Sequence, residues 1–313
     1  MAVNDKVSQA EYNNIRNKLI PVIGGGYGNT GWGQPIVSSS VQEGKTVSIN
    51  EWANLGYDIT NAWKHISGSN PDIASVIEGG KIRYSANFAP GSSSTPVNQY
   101  DQWADAIVAN KYALSTSSAI TVNKGSKTFS GTWNGTLGCR ISVSFPSPPS
   151  ARYFFNSGGQ IRFTSSRTDG SSSTQNNAWT SLLNSAGTQP FGAVLPNAGT
   201  SPPDGTNYYR CVDGFGRWYT TSSSTPYSLN SYNIYARTPG IGNNSVGDAQ
   251  NLEFVVTWVD DHTGIAGGFD QVDGFLNIAV STLEASQVLV PVSAGTFSVA
   301  SPTVYIGNIG YGW

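Results

Sequence analysis

The sequence predicts an α+β protein with a small N-terminal helical module over residues 1–115 and a mainly antiparallel β-sandwich or jelly-roll-like domain over 116–313. Three observations carry this. Apolar residues recur at helical spacing behind capping signals in the first part of the chain, as in amphipathic helices. After "ALSTSSA" the pattern changes to short alternating segments separated by Gly, Ser, Asn and Pro, as in strands joined by turns. The β part contains one stretch of helical period, "NNAWTSLLNSAG" at 176–187, which marks a short helix on a crossover.

The first two helices come from a weak internal repeat, "VSQAEYNNIRNKL" at 7–19 and "VSINEWANLGYDI" at 47–59. In each, Ser is followed three residues later by Glu, the spacing at which the two side chains satisfy each other's orphan amides. Val7 with Tyr12, and Val47 with Trp52, stand where a hydrophobic staple closes over a helix start. Tyr12, Ile15 and Leu19 form one stripe, and Trp52, Leu55, Ile59, Trp63 and Ile66 another. Pro21 is expected to end the first helix and Gly68 the second. A third helix is expected at 98–112, where Tyr100, Trp103, Ala104, Ile107 and Lys111 share a face.

Strands are expected at "KTFSGTWNG", "CRISVSFPSPPS", "GRWYTTSS", "YNIYARTP", "LEFVVTWVDD", "GFLNIAVSTLEA" and "TFSVASPTVYIG". "ARYFFNSGGQIRFTSS" reads as a hairpin turning at 157–159. About eight strands without intervening helices favour two packed sheets.

Composition narrows the function classes. Only 12% of the 313 residues are charged, against roughly 25% in ordinary soluble domains. Gly, Ser and aromatics are abundant, which suits turns and surfaces packed against neighbours. A net charge of −2 supplies no basic field for nucleic acid. No apolar run is long enough to span a membrane, and "MAVNDKVSQAEYNN" lacks the pattern of a signal peptide. The expectation is therefore synthesis in a cytoplasm, with Cys139 and Cys211 as reduced core residues.

Four stretches invite a chemical reading. "GGGYGNTGWGQ" at 24–34 resembles a phosphate loop in composition, but a helix precedes it, no lysine follows until Lys45, and "QPIVSSS" opens no helix. It reads as a connector on which Tyr27 and Trp32 are packing anchors, joined by Trp52, Trp63 and, in the terminal echo "YIGNIGYGW", Tyr311 and Trp313. "WVDDHTGIAGGFDQVDG" carries Asp260, Asp261, Asp270 and Asp273. These carboxylates are either Ca²⁺ ligands or makers of Asx-turns at strand ends. His65 and His262 are the only histidines; no G-x-S-x-G elbow accompanies them, and His65 is expected to complement the dipole of the second helix. No catalytic residues and no cofactor are expected. Trp133, Trp179, Trp218 and Tyr219 are either sandwich core or a stacking platform for sugar faces.

The stretch "YNNIRNKLIPVIGGGYGNTGWGQPIVSSSVQEGKTVSINEWANLGYDITNAWKHISGS" resembles the N-terminal region of virion structural proteins of tailed bacteriophages, large contractile-tailed phages included. "ARYFFNSGGQIRF" and "FVVTWVDDHTG…FDQVDGFLNIAVS" are similar to their β-rich part. The resemblance implies a non-enzymatic neck, tail, baseplate or fibre-like component of a virion. Its partners would be copies of itself and other virion proteins, with a host glycan as the alternative partner. It implies a trimer for a fibre, or six or twelve copies for a ring.

Overall fold

The computed structural model describes residues 8–25, 31–73, 98–194, 207–262 and 271–309. The chain divides into two compact units. One holds residues 1–120, 152–158 and 284–299; the other holds 121–151, 159–283 and 300–313. The first boundary lies close to the compositional one at 115/116, but two later segments belong to the helical unit.

In the helical unit, helix α1 spans Gln9–Ile23, α2 Ile49–Ser67 and α3 Asn98–Ala109. Both expected capping boxes form. Ser8 Oγ accepts from Glu11 N at 3.2 Å and Ser48 Oγ from Glu51 N at 3.3 Å, while each Glu accepts from its Ser amide. Pro21 lies inside α1, which runs on to Ile23 instead of ending at the proline. Near the C-terminus the proline costs one amide bond, and burial of Val22 and Ile23 holds the last turn in place. Gly68 closes α2 in the left-handed conformation, as its position predicts. The stripes of the three helices meet in one core. In it Trp52 lies edge-on to Tyr12 and Tyr100, each at 5.2 Å.

The sequence gives no hint of how the later segments join this core. Neutral amide side chains do it, each exchanging two hydrogen bonds with one backbone residue. Asn61 Nδ2 donates to Val290 O and Asn61 Oδ1 accepts from Val290 N, both at 2.7 Å. Gln34 makes the same exchange with Ser298 at 2.8 and 3.0 Å, and Asn13 with Val41 at 2.8 and 3.0 Å. The buried Asp58 carboxylate accepts from the amides of Val37 and Ser38, each at 2.9 Å. Amides satisfy buried backbone without the desolvation cost of charge, which fits a chain so poor in ion pairs.

The β unit has strands β1 (Ala119–Ser130), β2 (Gly135–Ser144), β3 (Gln160–Thr168), β4 (Thr188–Phe191), β5 (Gly216–Ser222), β6 (Ser231–Arg237), β7 (Asn251–Asp260), β8 (Phe275–Ala285) and β9 (Thr303–Asn308). They form two antiparallel sheets, ordered β1-β8-β3-β4 and β5-β6-β7-β2-β9. The pairings β1–β8 and β2–β7 are the two outer nestings of a jelly roll; β4, β5 and β6 depart from that order. The sheets face each other across an aromatic core, with Phe163 and Phe191 of one sheet 4.8 and 4.9 Å from Phe254 of the other.

Two strand expectations fail. "ARYFFN" is not the first arm of a hairpin: helix α4 occupies Pro148–Asn156, and the turn at 157–159 leads from it into β3. The signal is in "SPPS". Ser147 Oγ accepts from Ser150 N, and Pro148 sits at the first helical position, where its missing N–H costs nothing. The second failure is "TFSVAS", which is irregular, with pairing resuming only at Thr303. The expected crossover helix, α5, is present at Thr174–Ala186.

Candidate functional site

Of the expected anchors, Trp32 is 1% exposed and its indole donates to Lys111 O at 2.8 Å. Trp52 is buried with the two tyrosines, and Trp63 is half-buried against Trp103 at 4.5 Å. Tyr27, Tyr311 and Trp313 lie outside the described residues. The glycine connector folds back on α1: the amides of Trp32, Gly33 and Gln34 donate to the carbonyls of Val22, Gly24 and Ile23. Gly33, at φ 67°, lies flat on the Tyr153 ring, where a Cβ would stand 2.4 Å from a ring carbon. Residues 31–34 are thus packed as structure, with the amides of Trp32, Gly33 and Gln34 spent on the end of α1 and its cap.

His65 does not serve the α2 dipole. It is fully buried between Trp32 and Phe297, stacked on the latter at 4.4 Å and 6°, and its Nε2 lies 2.8 Å from Ser157 O. Burial lowers its pKa to about 4, so the ring is neutral and Nε2–H donates. The adjoining cavity, bounded by Trp32, Asp58, Asn61, Leu289 and Phe297, has a volume of about 10 Å³. That is room for one water and no substrate.

Of the two readings of the four aromatics, sandwich core and sugar platform, burial favours core for Trp179 and Trp218. Trp179 is 1% exposed and Trp218 2%. Trp218 packs on Phe191 at 5.4 Å inside the sandwich, and Tyr219 leans on Tyr232 there at 5.7 Å. Trp133 is half-buried, edge-on to Trp179 at 4.9 Å. The alternation of "GRWYTT" leaves open which residues face inward; a β-bulge between Arg217 and Tyr219 turns both aromatics toward the core.

The acidic residues likewise have structural partners. Asp260 is 2% exposed and accepts from Gln175 Nε2 at 2.9 Å on both oxygens. Asp273 accepts from Arg167 Nη2 at 3.0 Å, Ser171 N at 2.9 Å and Asn176 Nδ2. Desolvation raises the Asp273 pKa, but these hydrogen bonds outweigh it and hold the carboxyl below its usual value. Asp261 is exposed, and Asp270 lies outside the described residues. Among the described residues no group of His, Cys, Asp or Glu is arranged to hold a metal ion. Arg167 supplies the positive charge that Ca²⁺ would bring to Asp273.

Residues that the sequence reading passed over converge on the outer face of the five-stranded sheet. Cys139, Ile141 and Val143 of β2 point inward, so Arg140, Ser142 and Ser144 point outward. Register then aligns Arg217, Tyr235, Val255, Arg140 and Gly307 in one rung, and Arg237, Glu253, Ser142 and Tyr305 in the next. Glu253 Oε2 accepts from Arg237 Nε at 2.7 Å and forms ion pairs with Arg237 Nη2 at 2.6 Å and Arg140 Nη2 at 3.8 Å. The Phe215 ring lies beneath both guanidinium groups, 4.6 Å from Arg237 and 5.7 Å from Arg140. Tyr305, 71% exposed, ends its rung on the edge strand. Alternation marks each of these as outward; only the pairing of four strands brings them together.

These geometries hold no nucleophile–base pair. Cys139 and Cys211 are buried free thiols with pKa raised by burial to about 12. The Glu253 carboxylate is held by Arg237. No protein-family model, curated protein or solved structure matches the chain.

Proposed function

We propose that this chain is a non-enzymatic structural protein of a bacteriophage virion. In this reading it is a tail, neck, baseplate or fibre-like component, made in the bacterial cytoplasm, that works by self-association and docking to other virion proteins. The sequence resemblance motivates the class, and the sheet edges supply the supporting observation. Three of the four edges carry features that discourage strand addition: β1 has Lys124 and Lys127, the four-residue β4 contains Pro190, and β5 is bulged. The fourth, β9, reads "TVYIGN" and has no charged residue of its own, though Lys124 and Lys127 of β1 donate to Ser301 and Asn308 at its two ends. A neutral edge next to an exposed tyrosine is the kind that pairs with another chain.

Light scattering on the purified chain tests this. We expect a closed oligomer that Thr303→Lys, a charge on the β9 edge, shifts toward monomer. Antibody labelling should also find the protein on intact particles. A monomer at roughly 100 μM that is also absent from particles would refute the reading.

A second reading, a receptor-binding module for host glycans, is favoured by one feature, the exposed Tyr305 beside the arginines of the outer sheet face.

A further inference from the structure

The geometry points to the outer face of the five-stranded sheet as a binding site for an anionic polysaccharide, an inference that rests on the glycan-binding reading. Its charge is one-sided. The outward positions of β5, β6, β7, β2 and β9 include three of the chain's nine arginines, Arg140, Arg217 and Arg237, against one acid, Glu253. The chain as a whole is at −2. The local excess of positive charge is therefore a property of this face and not of the molecule.

The three arginines are placed differently. Arg237 is tied to one oxygen of Glu253 by a hydrogen bond from Nε and an ion-pair contact from Nη2. Arg140, at 3.8 Å from the same oxygen and 41% exposed, is beyond hydrogen-bonding distance. Its fork is oriented over Phe215 yet keeps donors for an incoming carboxylate or sulfate. Arg217 lies in the same rung as Arg140, on the far side of Tyr235 and Val255.

The rest of the face suits sugar hydroxyls and a ring. Ser142, Ser144, Asn251 and Thr303 supply hydroxyl and amide groups along the two outer rungs, and Tyr305 presents an accessible ring one strand from Ser142. From Arg237 on β6 to Tyr305 on β9 is three strand spacings, about 14 Å, the reach of an oligosaccharide and not of a single sugar. Tyr305 would stack on a sugar face while Arg140 takes the acid group of a neighbouring residue. The outer face of the other sheet has a different character. There Thr164 pairs with Thr188 and Thr128 with Asn277, neutral side chains, and β3 adds one outward charge, Arg162, in register with Pro190 and Ser281.

Gel electrophoresis through polygalacturonic acid, with neutral dextran as the parallel polymer, tests the inference. We expect retardation by the polyanion alone, lost in 0.5 M NaCl because the contact is ionic. Tyr305→Ala and Arg140→Gln should each weaken it at least about tenfold, a loss of about 1.4 kcal/mol. Unchanged circular dichroism would show that both variants fold. A sulfated polymer, dextran sulfate, distinguishes sulfate from carboxylate as the group bound. Retardation by both dextran and polygalacturonate would overturn the anionic specificity while leaving the glycan reading standing. Retardation by no polysaccharide would remove both. Binding that survives both substitutions, or retention by single-stranded DNA in place of the polysaccharides, would overturn the assignment of this face.

Discussion

His65 and Gly33 are each held by partners far away in the chain. The His65 ring has two aromatic neighbours and a carbonyl around it, and desolvation is what pushes its pKa down to about 4 from 6.5. The unfolded chain therefore binds a proton between these values that the folded chain refuses, so stability must fall as pH drops through that window. Fully developed, the loss is about 3 kcal/mol. Urea unfolding followed between pH 6.5 and 5 should show it, and His65→Gln should flatten the slope there. Asp58 acts oppositely: burial raises its pKa against the pull of the Val37 and Ser38 amides, so its contribution declines as pH rises above the ordinary carboxylate range. Gly33 combines a positive φ with ring contact on Tyr153, so Gly33→Ala should cost about 2–3 kcal/mol by thermal or urea unfolding, through strain and overpacking together. An unaffected midpoint would mean that the connector is not seated on that ring.

Among the elements, those with local signals are the ones that sequence reading recovers. Both capping boxes are complete within four residues, and removal of one hydroxyl should be felt: Ser48→Ala is expected to lose about 1 kcal/mol, measured by chemical unfolding. Helix α4 shows how a signal can be present and outvoted. "ARYFF" has the aromatic, alternating look of a strand, and its Gly-rich sequel imitates a hairpin turn, while the deciding cap lies upstream in "SPPS". Strand β5 shows the opposite limit. The bulge that turns Trp218 and Tyr219 inward depends on its pairing with β6, and no pattern within the strand announces it.

At the scale of the whole molecule, the chain handles its scarcity of charge in a consistent way. Asn13, Gln34 and Asn61 do for buried backbone what ion pairs or extra ladders would do elsewhere, and the few buried ionisable groups serve the same end. The assembly and polysaccharide experiments belong to this scale, since they ask what the β9 edge and the outer sheet face meet. By itself the sequence determined the α+β class, helices α1 to α3 with the two capping boxes, the crossover helix and the reduced cysteines. Each follows from residues close together in the chain, where periodicity and capping chemistry act. Tertiary structure alone decided that residues 152–158 and 284–299 complete the helical unit, that of the two readings of Trp179 and Trp218 core is the right one, and that Arg140, Arg237, Glu253 and Tyr305 share a face. Alternation gives a strand two faces, but register and burial settle which side chains meet on each. Tertiary contacts join residues as far apart as Gln34 and Ser298, 264 positions, a range over which local pattern carries no information.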